Sequence, residues 1–274
     1  TYGLVGESGS GKSTIGKAII GLEKIKDGTI TYEGKVIEKR RSRKSDYNQN
    51  IQMIFQDSLS SLNPKKRIID IIAEPLRNFE NLTDKEESRR VSELLEIVGM
   101  TDDALYKYPH EFSGGQRQRI GVARAVAIKP KLIIADEPVS ALDLSVQAQV
   151  LNYMKEIQKQ FGLSYLFISH DLGVVKHMCD HISIMYRGRF VETGEKADIY
   201  NNPQHIYTKR LIAAIPEVNP NHRELNKSRR LAVEKEYREN ELEYYDANGK
   251  VYDLQKLTDT HYAALAHKVK GGEK

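Results

Sequence analysis

The chain has 274 residues, 39% of them hydrophobic and 29% charged, the balance of an ordinary globular protein with room for one sizeable domain and an appendage. Its formal net charge of +4 is too small a bias at this length to argue for nucleic acid, and no such partner is expected. The single cysteine, Cys179, excludes an internal disulfide and a thiolate metal cluster and suits a reducing compartment, and no apolar run approaches the ~20 residues of a membrane helix.

In chain order, Tyr2 to Val5 reads as a buried strand. Thr1 is not an initiator methionine, so an earlier strand of the domain is expected to be missing. A glycine-rich loop follows, then a helix with Ile15, Ala18, Ile19 and Leu22 at helical spacing. Residues 28–34 read as a short strand closed by turns, and Val36-Ile37 continues in that style. Residues 39–44 form a basic surface run, and Ile51 to Phe55 a second buried strand. From about 57 to 112 the texture turns helical and charged. Residues 84–98 carry Val91, Leu94, Leu95 and Val98 on one face, with Thr83-Asp84 to cap the start and Gly99 to end it. Ser113 opens another helix, to about Ile128, and Pro130 stops it. The helical subdomain is therefore expected at about 57–128. Leu132 to Ala135 is a central strand by its unbroken apolar run. A helix from Val146 to Phe161, a strand from Tyr165 to Ile168 and a short helix from Gly173 to Cys179 follow. Ile182 to Tyr186 and Arg189 to Glu192 form a hairpin around Arg187-Gly188. Pro216 and Pro220 mark a linker, the segment from Arg223 to Leu242 is helix-prone, and Asn248-Gly249 between tyrosine-bearing runs signals a hairpin. Residues 268–274 read as a frayed tail.

Two stretches carry chemistry by their own residue pattern. Gly6-Glu-Ser-Gly-Ser-Gly-Lys-Ser13 fits the phosphate-binding loop G-x-x-x-x-G-K-[ST] without a mismatch, between a strand and a helix. The glycines Gly6, Gly9 and Gly11 let backbone N–H groups of the loop, which also contains Glu7, Ser8 and Ser10, converge on phosphate oxygens, and the helix at Thr14 aims its positive end there. Lys12 can reach the β and γ phosphates, and the Ser13 hydroxyl can ligate Mg²⁺. Leu132-Ile-Ile-Ala-Asp-Glu137 ends a buried strand on two acids, where open parallel sheets hold their ligands. Asp136 can serve the Mg²⁺ shell and Glu137 can face an attacking water.

Phe112-Ser-Gly-Gly-Gln-Arg-Gln-Arg119 resembles the signature of ABC ATPases, although phenylalanine stands where leucine is frequent. In the family's order, Gln56 resembles the Q-loop glutamine, Ser140-Ala-Leu-Asp143 the D-loop, and His170 in Ile-Ser-His-Asp171 the switch histidine. The resemblance implies an α/β fold: a P-loop ATPase core over residues 1–200, with the helical signature subdomain, and a C-terminal extension over 201–274. It implies ATP and Mg²⁺ as ligands and ATP hydrolysis coupled to transport. Ser113, Gly114, Gly115 and Gln116 would close over the γ phosphate held by another subunit, although Ser113 is also a plain helix cap. Gln56 would contact Mg²⁺ or water and relay to the membrane partner, and His170 would contact the γ phosphate. The adenine-stacking aromatic of the family lies upstream of the first residue here.

A narrower resemblance rests on Gln56-Asp-Ser-Leu-Ser-Ser-Leu-Asn-Pro64, Asn202-Pro-Gln-His-Ile-Tyr-Thr-Lys-Arg-Leu211 and Ala213-Ala-Ile-Pro216. These are similar to ATPase subunits of dipeptide and oligopeptide importers, most of all to the second such subunit. Nickel and glutathione importers share them. The resemblance implies a peripheral protein on the cytoplasmic face of a bacterial membrane. Its partners would be a homologous, non-identical ATPase subunit, two permease chains and, indirectly, an extracytoplasmic peptide-binding protein. A soluble ABC ATPase working on nucleic acid or ribosomes is the competing reading, but the long coiled coil, zinc cysteines or tandem ATPase domain usual there are not seen in this sequence.

Overall fold

Apolar runs became strands and amphipathic runs became helices in the computed structural model, which describes residues 1–37, 45–57, 61–216 and 223–267. The basic run at 39–44, residues 58–60 of the importer-like segment, Pro220 and the tail at 268–274 lie outside the described residues. In chain order the elements are β1 (Tyr2–Val5), α1 (Lys12–Ile20), β2 (Thr31–Tyr32), β3 (Lys35–Val36), α2 (Asp46–Asn50), β4 (Ile51–Ile54), α3 (Ile68–Phe79), α4 (Asp84–Ile97), α5 (Gly114–Val126), β5 (Leu132–Asp136), α6 (Leu144–Phe161), β6 (Ser164–Ser169), α7 (Leu172–Met178), β7 (His181–Tyr186), β8 (Arg189–Glu195), α8 (Lys196–Asn201), α9 (Ile206–Ala213), α10 (Arg223–Asn240), β9 (Gln255–Lys256) and β10 (Tyr262–Ala263). The chain divides into two compact units, Ser13–Ile168 and the pair of segments Thr1–Lys12 with Ser169–Lys274.

In the unit Ser13–Ile168, β4, β5 and β6 pair in parallel, with Ile51 opposite Leu132 and Asp136 opposite Ile168. Parallel neighbours need long crossovers, and helices supply them. α3, α4 and α5 lie between β4 and β5 in the sequence, and α6 lies between β5 and β6. Ile133, Ile134 and Ala135 are fully buried, as a strand covered on both faces requires. α4 forms for local reasons. Thr83 Oγ1 accepts the Glu86 N–H while Glu86 returns a carboxylate oxygen to the Thr83 N–H, a reciprocal cap worth about 1 kcal/mol. Its face of Val91, Leu94, Leu95 and Val98 is buried as the spacing predicts, and Gly99 ends the helix at φ +66°. The apolar spacing placed Leu22 on α1, but the helix stops at Ile20. Gly21 turns left-handed at φ +81°, and Leu22 is left 62% exposed.

In the other unit, β1 pairs in parallel with β7, and β7 runs antiparallel to β8 through a turn at Arg187 (φ +47°) and Gly188 (φ +81°). Positive φ at both central residues is what a two-residue hairpin turn demands. β8 is extended by β10 and then β9, so a strand from near the C-terminus lies beside the hairpin. That return is fastened by a buried polar cluster. Glu192 accepts the backbone N–H groups of Gln204 and His205, and the His261 ring lies 2.7 Å from its Oε1. Neither Glu192 nor His261 is exposed by more than 1%. The expected hairpin at Asn248-Gly249 forms around one antiparallel bridge, Tyr245 to Val251, and the Asp246 carboxylate takes the N–H groups of Asn248 and Lys250 in its turn. Cys179 is buried beside Gly3, and burial pushes its thiol up to about 12, so it stays protonated and inert at neutral pH. No helix among the described residues is long and apolar enough to cross a membrane.

Candidate functional site

The phosphate loop leaves β1 at Gly6, where a Cβ atom would lie 2.1 Å from the Met185 carbonyl oxygen. Only glycine fits that approach. Gly9 and Gly11 hold φ of +82° and +101°, which folds the loop back on itself. Lys12 sits inside this fold, 4% exposed. Its ammonium donates to the carbonyl oxygens of Gly6 at 2.7 Å and Glu7 at 2.9 Å, and to Ser10 Oγ at 3.4 Å. These three acceptors belong to its own loop and are neutral. The loop is braced from outside as well. The Gly188 N–H donates to the Ser10 carbonyl, and the Glu7 N–H donates to Tyr207 Oη at 3.0 Å. Ser8 and Gly9 are exposed at the loop's tip.

Ser13 and Thr14 open the other unit, and there the side chains meet directly. Ser13 Oγ donates to Asp136 Oδ1 at 2.8 Å across 123 residues of sequence. Gln56 Nε2 donates to Glu137 Oε2 at 2.8 Å. Asp136 is 3% exposed and Glu137 9%. Both carboxylates stand at the carboxyl end of β5. Glu137 has left the strand at φ +47°, a left-handed conformation that costs a non-glycine residue about 1 kcal/mol or more and that re-aims its side chain. Its own N–H is kept by the Ile168 carbonyl. A cleft of about 500 Å³ opens here, lined by Ser13, Lys17, Phe55, Gln56, Asp57 and Asp136 among others. Lys17 was not singled out from the sequence, although it lies one helical turn after Ser13, which is a legible signal.

A hydroxyl and a carboxylate oxygen side by side suit a hard cation that keeps waters and phosphate oxygens as its other ligands, as Mg²⁺ does. Among the described residues no group of three or more His, Cys, Asp or Glu offers a self-sufficient metal cage.

Ser113 caps α5 reciprocally with Gln116: its Oγ accepts the Gln116 N–H at 3.3 Å, and Gln116 Oε1 accepts the Ser113 N–H at 2.9 Å. The plain capping reading is therefore realised. Ser113 is nonetheless exposed, at the positive end of a 13-residue helix. A Cβ on Gly115 would lie 2.3 Å from Val146 Cγ1, so that glycine serves packing against α6, and Gly114 lies nearer the surface. Asp143 is the N-cap residue of α6 without a capping side-chain bond, and Leu144 beside it is 84% exposed. His170 is exposed just beyond β6, before the N-cap Asp171 of α7.

Tyr207 and Arg210 fall within the stretch 202–211, whose pattern assigns neither a role. Tyr207 is fully buried, its ring 4.3 Å from that of Tyr186, and burial raises its hydroxyl pKa well above the ordinary phenol value. No local sequence signal pairs it with Glu7, 200 positions away.

Residues 1–140 match the family described as ABC transporter, and residues 191–252 match the C-terminal region of oligopeptide/dipeptide transporters. The chain is 58% identical over 274 residues to the oligopeptide transport ATP-binding protein OppF of Lactococcus lactis subsp. lactis, covering all of this chain and 85% of that one. It is 54% identical over 226 residues to OppF of Bacillus subtilis, covering 81% of this chain and 74% of that one. Among solved structures, cbiO1 from Clostridium perfringens, part of the ABC transporter complex cbiONQ, superposes with a TM-score of 0.66 at 26% identity, over 77% of this chain and 82% of that one.

Proposed function

This chain belongs to the ABC transporter ATPases, in their oligopeptide and dipeptide branch, and from that premise we propose that its hydrolysis of ATP drives peptides into a bacterial cell. The observation that carries the site assignment is the pair of bonds Ser13–Asp136 and Gln56–Glu137, which join residues from three separate motifs in two contacts.

Lys12, with the N–H groups of the loop, binds and orients the β and γ phosphates. Ser13 and Asp136, with Gln56, would hold Mg²⁺, which when bound supplies positive charge against the phosphate oxygens. Glu137 accepts a proton from the attacking water, and Gln56 holds the carboxylate in position for it. His170 contacts the γ phosphate from the far end of β6. Ser113, Gly114, Gly115 and Gln116 act in trans, turning the open helix end of α5 to ATP on a second, non-identical ATPase subunit. Two permease chains complete the machine, and the chain works from the cytoplasmic face of the membrane. A groove of about 330 Å³ lined by Met53, Phe55, Leu62, Gln118 and Arg124 among others lies next to Gln56 and is the surface where a permease segment would read its movement. The 201–274 extension is the part specific to the importer branch.

The test is uptake into proteoliposomes holding this subunit, its partner ATPase, the two permeases and the receptor. ATP inside the cytoplasmic compartment should drive entry of a labelled dipeptide or oligopeptide. Entry of nickel or glutathione in place of any peptide would overturn the substrate assignment.

A further inference from the structure

The importer-like stretch on α9 reaches the phosphate loop of the same unit through the Tyr207 side chain. Tyr207, on α9, accepts the Glu7 N–H at 3.0 Å, and the Glu7 carbonyl accepts Lys12 Nζ at 2.9 Å. The Gly6–Glu7 peptide is therefore held at its N–H by a tyrosine 200 positions later and at its carbonyl by the phosphate-binding lysine, which holds the next carbonyl as well. The Tyr207 ring has no freedom to follow a moving loop. It is fully buried, and its neighbour Tyr186 lies on β7 immediately before the turn whose Gly188 N–H holds the Ser10 carbonyl.

A second contact points the same way. Arg210, one turn along α9, lies 3.9 Å from the Glu7 carboxylate, 2.9 Å from Glu234 on α10, and 4.5 Å over the Tyr237 ring. The 3.9 Å pair is half-exposed and weak by itself. Its value is directional: α10 holds Arg210, and Arg210 leans on the loop residue that Tyr207 already fixes.

We infer that Tyr207 is a positioning residue for ATP binding, which sets the phosphate loop by holding the Glu7 amide so that the Glu7 carbonyl can hold Lys12. It touches no reacting atom. A loop that must order on binding pays that cost in affinity, so losing the anchor weakens ATP binding more than it slows chemistry. The importer-specific C-terminal region thereby tunes the ATP site that it does not enter. This inference rests on the assignment of residues 6–13 as the phosphate loop.

Tyr207→Phe removes one oxygen and keeps the ring on Tyr186. In the assembled transporter, KM for ATP should rise about fivefold, the worth of one neutral hydrogen bond, while kcat stays within about twofold. Hydrogen exchange at the amides of residues 6–13, measured without nucleotide, should quicken. If the variant fails to fold, Tyr186→Leu, which removes the ring packed on Tyr207 and changes nothing in residues 6–13, should raise KM and quicken the same exchange to a smaller degree. Unchanged KM and unchanged exchange in a folded variant would overturn the inference, and so would a fall in kcat at constant KM. A wild-type chain that hydrolyses no ATP would break the functional reading instead, and the exchange measurement would still decide the role of Tyr207.

Discussion

Lys12 is held by backbone carbonyl oxygens of its own loop, whereas Asp136 and Glu137 are held by side chains, Ser13 and Gln56, from other stretches of the chain. The two arrangements respond differently to a ligand. The lysine's loop acceptors are neutral carbonyl and hydroxyl oxygens, to which phosphate oxygens can be added. The carboxylates' partners sit on the oxygens themselves, so a metal or a water must share or displace them. One half of the chemistry is built as a rigid cationic cradle, the other as a set of exchangeable pairs. Removing Lys12 should therefore collapse binding and chemistry together, while changes at the carboxylates should separate them.

The largest effect tests the cradle. Lys12→Ala should reduce phosphate release by at least about a hundredfold, the scale for losing one charge-stabilising group, and should weaken ATP binding as well. Hydrolysis at the wild-type rate in the assembled transporter would show that the Lys12 cradle is dispensable.

Glu137→Gln tests the exchangeable side. The amide keeps the size of the side chain and loses the base, so kcat should fall about 10²–10³-fold while ATP still binds. ATP should then hold the ATPase pair closed. Adding Ser113→Arg should block that closure by bulk and charge, and leave binding at this chain's own loop intact. Fluorescent-nucleotide binding measured beside ATP-driven association of the two subunits separates the outcomes. Loss of binding at its own loop with closure preserved would sink the trans role of Ser113. A smaller effect is expected for Asp136→Asn, which should raise the Mg²⁺ concentration for half-maximal hydrolysis by at least about tenfold, the low end for even an indirect metal partner. A Mg²⁺ titration that superposes on the wild type would remove Asp136 from the metal shell.

The same contrast explains what could be read from the sequence. The phosphate loop, the acids at the end of β5 and the capped helix α4 are set by neighbours within a few residues, and their patterns are visible in a single stretch. Thr83 and Glu86 cap α4 as their spacing requires, and Ser113 and Gln116 do the same for α5. Contacts between distant segments leave no such trace. Nothing around Glu7 announces Tyr207, and nothing around Glu192 announces His261. The spacing rule also overran at Leu22, where Gly21 ended the helix first. The order of motifs along the chain carries the family, whereas the grip of Tyr207 on the loop joins segments 200 positions apart.

The smallest expected effect concerns stability and again sets a buried side chain against its surroundings. His205 begins α9, two residues before Tyr207. Its Nδ1 accepts the Tyr207 N–H at 3.1 Å, so the ring is neutral with its proton on Nε2, and Nε2 has no hydrogen-bond partner among the described residues. Burial, with the Lys209 charge adding to it, lowers the His205 pKa to about 3. The unfolded chain has an ordinary histidine near 6.5, so between those values it binds a proton that the folded protein refuses. Stability from this group is therefore complete above about pH 6.5 and declines as the pH falls towards 3. Between pH 7 and pH 5 the loss should be about 2 kcal/mol, read from urea midpoints at each pH. His205→Asn keeps an oxygen acceptor for the cap and removes the titrating ring, so its absolute stability can fall while its pH slope flattens. The slope is the quantity that decides. A variant as acid-sensitive as the wild type would assign the pH dependence to other groups, and would leave His205 as a cap that any acceptor could replace.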